Sequence, residues 1–257
     1  MLVAITREVS PALAACELTH LAREPIDVSV ARAQHWQYEQ YLVALGCIVH
    51  QLRAEPELPD SVFVEDTAVV LDELAIITRP GAVSRRVETE TIAEALEPYR
   101  RLFHIAPPGT IDGGDVLRIG RKLFVGLSDR TSHAGLEQLS VLLEPFGYTV
   151  QGVRVSGCLH LKSAVTQVAA STLLINPHWT DAGAFGDLKL IEVDESEPFA
   201  ANALLIEDTV IYPTGFPATR RRLEDHGISV MAVDATELGR AEGGVTCCSL
   251  VFSASSG

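Results

Sequence analysis

The chain has no long apolar run, no paired cysteine spacing, no low-complexity tract and little positive charge. Each shortage closes off a class of function. Without about 20 consecutive apolar residues, no membrane-spanning helix is expected. The stretch from Met1 to Cys16 is apolar in places but carries Arg7, Glu8 and Pro11. It lacks the basic start and continuous apolar segment of a secretory signal, so a cytoplasmic location is expected. The five cysteines are Cys16, Cys47, Cys158, Cys247 and Cys248, an odd number with two adjacent. That is a poor disulfide framework and points to free thiols in a reducing compartment. Cys158 and His160 have no second pair to complete a tetrahedral zinc site, so no metal is expected. Lys and Arg number 20 against 34 Asp and Glu, for a net charge of −14. Nucleic acid, whose phosphates need basic partners, is therefore not expected as a ligand. The charge suits a cationic small molecule. Oligomeric state stays open, a homodimer included.

What is present is an ordinary globular composition. The 257 residues are 47% apolar and 21% charged, enough for a full core. No linker rich in Gly, Ser or Pro divides them, so one domain over residues 1–257 is expected.

Met1–Thr6 reads as a buried strand, and Ser10–Asp27 is irregular. Val28–Leu45 reads as a helix with Ala31, Trp36, Tyr38, Leu42 and Leu45 toward its inner face and Gly46 as its stop. Cys47–Leu52 is a strand. A strand-turn-strand unit then spans Pro59–Thr78, with Glu65-Asp66 at its head and Asp72-Glu73 at its turn. A helix is expected over Arg85–Phe103. The unit recurs from Thr110, turning at Gly120-Arg121-Lys122, with a helix over Thr131–Phe146. It recurs again at Cys158–Val165 and Thr172–Asn176, at Ala200–Ile206 and Thr209–Tyr212 with a helix over Ala218–Asp225, and at Glu242–Leu250. The last copy's return strand is supplied by Met1–Thr6. Residues 177–198 show no clear period.

A polar residue heads each copy: Asp66, Asp112, His160, Asn202 and Cys247, at successive separations of 46, 48, 42 and 45 residues. A period of that length indicates a repeat architecture rather than a doubly wound sheet. Five such units, each strand, hairpin, strand, helix, strand, close into a ring without exposed edges. The heads then converge near the axis.

Those heads form a chemical kit. A thiolate is a nucleophile, and an imidazole can give a proton to a leaving group. Carboxylates would disfavour a thiolate unless the substrate itself carries positive charge. A guanidinium does, and it pairs bidentately with carboxylates. Each signal is weak alone. A lone histidine in an apolar run is more often a satisfied core residue. Asp112-Gly113-Gly114-Asp115 also suits a plain turn, and most free cysteines are small buried hydrophobes. Neighbours on a strand face opposite ways, so only one of Cys247 and Cys248 can face the axis. Arg85 and Arg130 are candidates for holding a carboxylate.

Several segments together resemble the dimethylarginine dimethylaminohydrolases, of the guanidino-modifying superfamily with a five-bladed α/β-propeller (pentein) fold. They are Pro59–Asp66, Ile77–Ala82 with Ser84-Arg85-Arg86, Asp112–Val116, Phe124–Ser128 with Arg130-Thr131, Leu159–Ser163, Ala200–Asn202 and Gly243–Ser249. The resemblance implies an α/β ring of ββαβ repeats that converts dimethylarginine or monomethylarginine to citrulline and a methylamine, without metal or other cofactor. It implies Cys247 as nucleophile, His160 as acid and base, and Asp112 as the group that holds the guanidinium and the histidine. Asp66, with Glu65 beside it, would grip the guanidinium. Arg85 and Arg130 would clamp the α-carboxylate. Asp60 and the carbonyls of Leu18, on a lid loop, and of Ala241 would receive the α-amino group. Two other readings stay open: arginine or agmatine deimination, and a non-catalytic binding protein on the same scaffold.

Overall fold

The computed structural model describes residues 1–254. Among the described residues, fifteen strands form five three-stranded sheets. The first holds β1 (Leu2–Arg7) at its centre, between β2 (Cys47–Leu52) and the C-terminal β15 (Leu250–Ser253). The second is β3 (Ala68–Val70), β4 (Leu74–Ile77) and β5 (Arg101–His104). The third is β6 (Val116–Ile119), β7 (Lys122–Leu127) and β8 (Thr149–Arg154). The fourth is β9 (Val165–Ala169), β10 (Thr172–Ile175) and β11 (Lys189–Glu192). The fifth is β12 (Leu204–Ile206), β13 (Thr209–Pro213) and β14 (Ser229–Val233). In every sheet the central strand is antiparallel to one neighbour and parallel to the other. A parallel neighbour needs a crossover. Helices supply it in four blades: α1 (Val28–Ala44), α2 (Thr89–Leu96), α3 (His133–Leu143) and α5 (Pro217–Asp225). The C-terminal strand pairs with the N-terminal one, Val3 opposite Phe252, which closes the ring.

The core confirms the closure. Strand side chains alternate between faces, so each blade feeds two different cores. Ala4 packs with α1 and the fifth sheet, whereas its neighbours Val3 and Ile5 pack against β3, β4 and α2. Val69 and Ile76 face the third sheet and α3. Leu117 and Phe124 face the fourth sheet. Val168 and Leu174 face the fifth sheet and α5. Five apolar clusters thus fill the five gaps between adjacent blades. The fold is the five-bladed α/β-propeller that the repeat implied.

Several local expectations need correction. Trp36 is 60% exposed rather than inward-facing. It lies two residues from buried Tyr38, about 200° round the helix. The inner face instead buries Gln34, His35 and Glu39, and Glu39 takes the Thr6 hydroxyl at 2.6 Å and the Gln51 amide at 2.8 Å. The helix expected over Arg85–Phe103 is a 3-10 turn at Ser84–Glu88, then α2, then strand β5. Pro98 cannot continue a helix, and the chain after it pairs with β4. The helix expected over Thr131–Phe146 starts later, where the Ser132 hydroxyl accepts the Gly135 N–H at 3.2 Å, and tightens into a 3-10 turn at Pro145. Residues 177–198 hold a single 3-10 turn, Ala182–Phe185, and then β11, so the fourth sheet crosses over without an α-helix.

On one face the axis opens into a well of about 520 Å³ lined by the first strands of the blades. Its floor is polar. Lys162 Nζ lies 2.5 Å from Glu65 Oε1, and the Thr246 hydroxyl donates to Glu65 Oε2 at 2.7 Å. Three of the five heads, Asp66, His160 and Cys247, line a second cavity, with Asp112 bonded to His160, while Asn202 bonds to Thr246 and Lys162 of this floor.

Candidate active site

A short turn leads into the first strand of each of the second, third and fourth sheets. Asp66 and Glu65 sit inside the 3-10 turn Val64–Thr67. Asp112 and His160 are extended residues just before the turns Gly113–Asp115 and α4 (Leu161–Ala164). Cys247 and Cys248 also lie in a turn, Val245–Cys248, and not on the strand, which starts at Leu250. The heads precede their strands by different numbers of residues. They therefore converge from slightly different levels, rather than in the strict register of the sequence repeat.

His160 is held between two carboxylates. Its Nε2 is 3.0 Å from Asp112 Oδ2, and its Nδ1 is 3.7 Å from Asp66 Oδ1. Gly114 allows this approach, because a Cβ there would sit 2.6 Å from His160 Nδ1 and 2.7 Å from Asp66 Oδ1. Burial opposes charge on the ring. Asp66, the hydrogen bond to Asp112, and Asp115 outweigh it and lift the imidazole to about 9. Burial likewise opposes charge on Asp66, but His160, Arg85 and the Gly114 N–H hold its carboxyl down to about 2. The ring is thus a cation at neutral pH, a poised acid. Asp115 stands behind both groups. It accepts the Leu161 N–H at 2.9 Å and the Thr131 hydroxyl at 2.7 Å, and that hydroxyl in turn accepts the Asp112 N–H at 3.2 Å. Asp66, Asp112 and His160 offer ligand atoms within 4.8 Å of one another, a set that would suit a cation. Arg85, the Gly114 N–H and the His160–Asp112 bond already satisfy those atoms.

Cys247 and His160 line the same cavity, with Asp60, Asp66, Arg85, Arg130 and Ala241. The Cys247 Sγ accepts the Gly244 N–H at 3.3 Å. Burial first, then the Glu65 and Asp66 carboxylates, push the thiol up to about 12, against small opposing effects of the Gly244 N–H and Lys162. The resting thiol is therefore protonated. Cys248 is 1% exposed and packs into the apolar cluster with Tyr38 and Val62, facing away.

The remaining expected residues divide. Arg85 lines the cavity, but most of its five N–H donors are spent on Glu88, Asp66 and the carbonyls of Asp60 and Phe63. One Nη1 hydrogen is left. Arg130 is freer, touching the Thr19 hydroxyl at 3.1 Å with Glu17 at 3.7 Å. Asp60 accepts the Glu17 N–H at 3.2 Å. Glu65 lies behind the cavity: its N–H donates to the Cys247 carbonyl at 3.1 Å while its carboxylate holds Lys162 and Thr246. Asp112 touches the cavity only through His160. Leu18 packs its side chain against the apolar cluster that contains Ala241, leaving its neighbour Glu17 to line the cavity.

Sequence reasoning missed Glu17, Phe63, Leu159 and Glu242, all of which line the cavity. Leu159 and Phe63 sit beside motif residues and were within reach. Glu242 was not. It adopts a left-handed φ of 58°, rare outside glycine, and its carboxylate accepts the N–H groups of Thr19, His20 and Leu21. This latches the segment after Leu18 over the site. With the latch shut the cavity measures about 20 Å³, room for roughly one water.

No protein-family model matches the chain. The N(G),N(G)-dimethylarginine dimethylaminohydrolase of Pseudomonas aeruginosa is 36% identical over 236 residues, covering 91% of this chain and 92% of that protein. The protein of the same name from Streptomyces coelicolor is 40% identical over 248 residues, covering 96% and 95%. Among solved structures, a cysteine-to-serine mutant of the Pseudomonas aeruginosa protein complexed with citrulline has a TM-score of 0.93 at 35% identity, covering 97% of this chain and 98% of that one. A histidine-to-glycine variant of a dimethylarginine dimethylaminohydrolase, as its adduct with S-methyl-L-thiocitrulline, has a TM-score of 0.92 at 34% identity, covering 98% and 100%. Identity at this level over nearly the full length, on the same closed ring, places the chain in the dimethylarginine dimethylaminohydrolase family.

Proposed function

We propose that this protein hydrolyses N(omega)-methylated arginines, dimethylarginine and monomethylarginine, to citrulline and the corresponding methylamine. The observation that carries the reading is that Cys247 and His160 line one cavity together with Asp60, Asp66 and Arg130. Arg130, with the remaining Arg85 donor, takes the substrate α-carboxylate. Asp60 and the carbonyls of Leu18 and Ala241 take the α-ammonium. Asp66 faces the guanidinium, with Glu65 behind it and Asp112 acting through His160.

The guanidinium supplies the positive charge that the resting thiol lacks. Its arrival favours loss of the Cys247 proton to solvent, and Sγ attacks the guanidinium carbon. His160 gives its proton to the methylated nitrogen as the C–N bond breaks, and the amine leaves. The neutral imidazole then takes a proton from water, which attacks the same carbon. The C–S bond breaks to regenerate the thiolate, and the oxygen gives up its remaining proton to solvent to leave citrulline. No step calls for a metal or an organic cofactor.

The closed ring supports reading the chain as one domain. Five unpaired cysteines support a reducing, cytoplasmic setting. Among the described residues, no helix is long and apolar enough to cross a membrane. The test is a substrate panel: citrulline forms from dimethylarginine and monomethylarginine, Cys247→Ser abolishes it and Cys248→Ser does not. Turnover of agmatine or free arginine, with none of any methylated arginine, reverses the assignment.

A further inference from the structure

Asn202 heads the fourth unit, yet the reaction gives it no part. It is buried and its side-chain amide is fully used. Oδ1 accepts the Thr246 N–H at 3.1 Å. Nδ2 donates to the Thr246 hydroxyl at 2.9 Å and to the Lys162 carbonyl at 3.0 Å. These two partners lie on the pieces that matter most. Thr246 immediately precedes Cys247, and Lys162 is on the short helix whose entry residue is His160. Gly244, the donor to Cys247 Sγ, rests against the same amide so closely that any Cβ there would overlap Asn202 Oδ1. Thr246 passes its hydroxyl on to Glu65, which receives Lys162 on its other oxygen. The result is a closed polar ring of Asn202, Thr246, Glu65 and Lys162, drawn from four blades.

We infer that Asn202 is a positioning residue: its amide fixes the Gly244–Cys247 turn relative to the His160 helix, and so holds the sulfur on its backbone donor in the cavity that His160 also lines. The inference rests on the hydrolase reading above. An amide is required because the site needs one acceptor and two donors in one plane. An aspartate has the shape but no donor, so it loses both Nδ2 bonds and adds an anion beside the thiol. A leucine removes all three bonds.

The experiment compares Asn202→Asp, Asn202→Leu, Thr246→Val and the double variant Asn202→Leu with Thr246→Val. The expected result is a kcat lower by about 100-fold in Asn202→Asp, the scale of a misplacement of about 1 Å. KM stays within about threefold, because Asp60 and Arg130 are untouched. The double variant loses no more kcat than the worse single one, because both act through one link. A second readout needs no turnover. Alkylation of Cys247 by iodoacetamide, followed by peptide mass, slows about tenfold in Asn202→Leu as the Gly244 N–H drifts from the sulfur. An unchanged alkylation rate, additive kcat losses or a loss confined to KM overturns the inference. Wild-type protein that makes no citrulline defeats the hydrolase reading instead, and the alkylation comparison still decides the role of Asn202.

Discussion

In the proposed reaction, substrate charge rather than the resting protein ionises Cys247. With the thiol near 12, only about one molecule in 10⁴ carries thiolate at pH 8. A guanidinium or amidinium about 4 Å from the sulfur, at an effective dielectric constant of about 20, stabilises the anion by about 4 kcal/mol. That raises the thiolate population about 1,000-fold. The assay compares two small electrophiles of similar size, neutral iodoacetamide and a haloacetamidine cation. Each rate is divided by its rate toward free cysteine at the same pH. The amidinium reagent is expected to inactivate the protein 100- to 1,000-fold faster on this corrected scale, the lower figure allowing for imperfect placement. Inactivation by the neutral reagent rises about tenfold per pH unit from 7 to 10 without a plateau. A plateau for iodoacetamide below pH 8, or equal corrected rates, refutes the reasoning. It would mean that His160 already holds a thiolate in the empty site.

Other perturbations test other parts of the structure. Glu242→Gln weakens three charge-assisted bonds to the Thr19–Leu21 segment, so KM is expected to change more than kcat and proteolysis between His20 and Glu24 to quicken; unchanged cleavage counts against the latch. His160 is lifted from 6.5 to about 9 in the folded state. Its cation therefore stabilises the fold fully below pH 6.5, and that contribution is lost as pH rises through 9. Comparing melting temperatures of wild type and His160→Gln over that range should show the wild-type advantage shrinking on the alkaline side. A growing advantage contradicts the sign. Phe252 is 6% exposed on the ring-closing strand, against Tyr99 at 5.3 Å between ring centroids. Phe252→Ala is expected to lower stability by about 3–5 kcal/mol in urea unfolding; a loss under 1 kcal/mol would mean that the closing strand contributes little.

Much of the architecture was legible because it repeats. The spacing of Asp66, Asp112, His160, Asn202 and Cys247 reported a unit length, and Met1–Thr6 was the missing partner of the last unit. Local boundaries were less legible. Helix pattern alone runs through Pro98 into β5, because Leu102 and Phe103 suit a strand as well as a helix. Residues 177–198 carry no helix signal because none is there; Asp181, Gly183 and Gly186 make a turn instead. Trp36 misled because apolar character does not fix a helix face.

The site divides along similar lines. Groups that follow a motif, such as His160 before Leu161-Lys162, could be placed by pattern. Groups that act by long-range hydrogen bonds could not. Glu242 reaches 221 to 223 residues back along the chain to Thr19, His20 and Leu21, from a backbone conformation that no glutamate advertises. Arg85 was expected to clamp the α-carboxylate with Arg130; its ion pair with Glu88, three residues on, was not foreseen. Of the tandem cysteines, Cys247 lines the cavity and Cys248 is buried, and a turn rather than the expected strand alternation separates them.

The most direct measurement is the mass of the protein quenched in acid during turnover of dimethylarginine, followed by peptide mapping. A covalent adduct of substrate less dimethylamine on the peptide containing Cys247, localised by fragmentation to that residue and absent in Cys247→Ser, is the predicted result. Citrulline formed with no adduct at any time, or an adduct on Cys248 or Cys158, contradicts it.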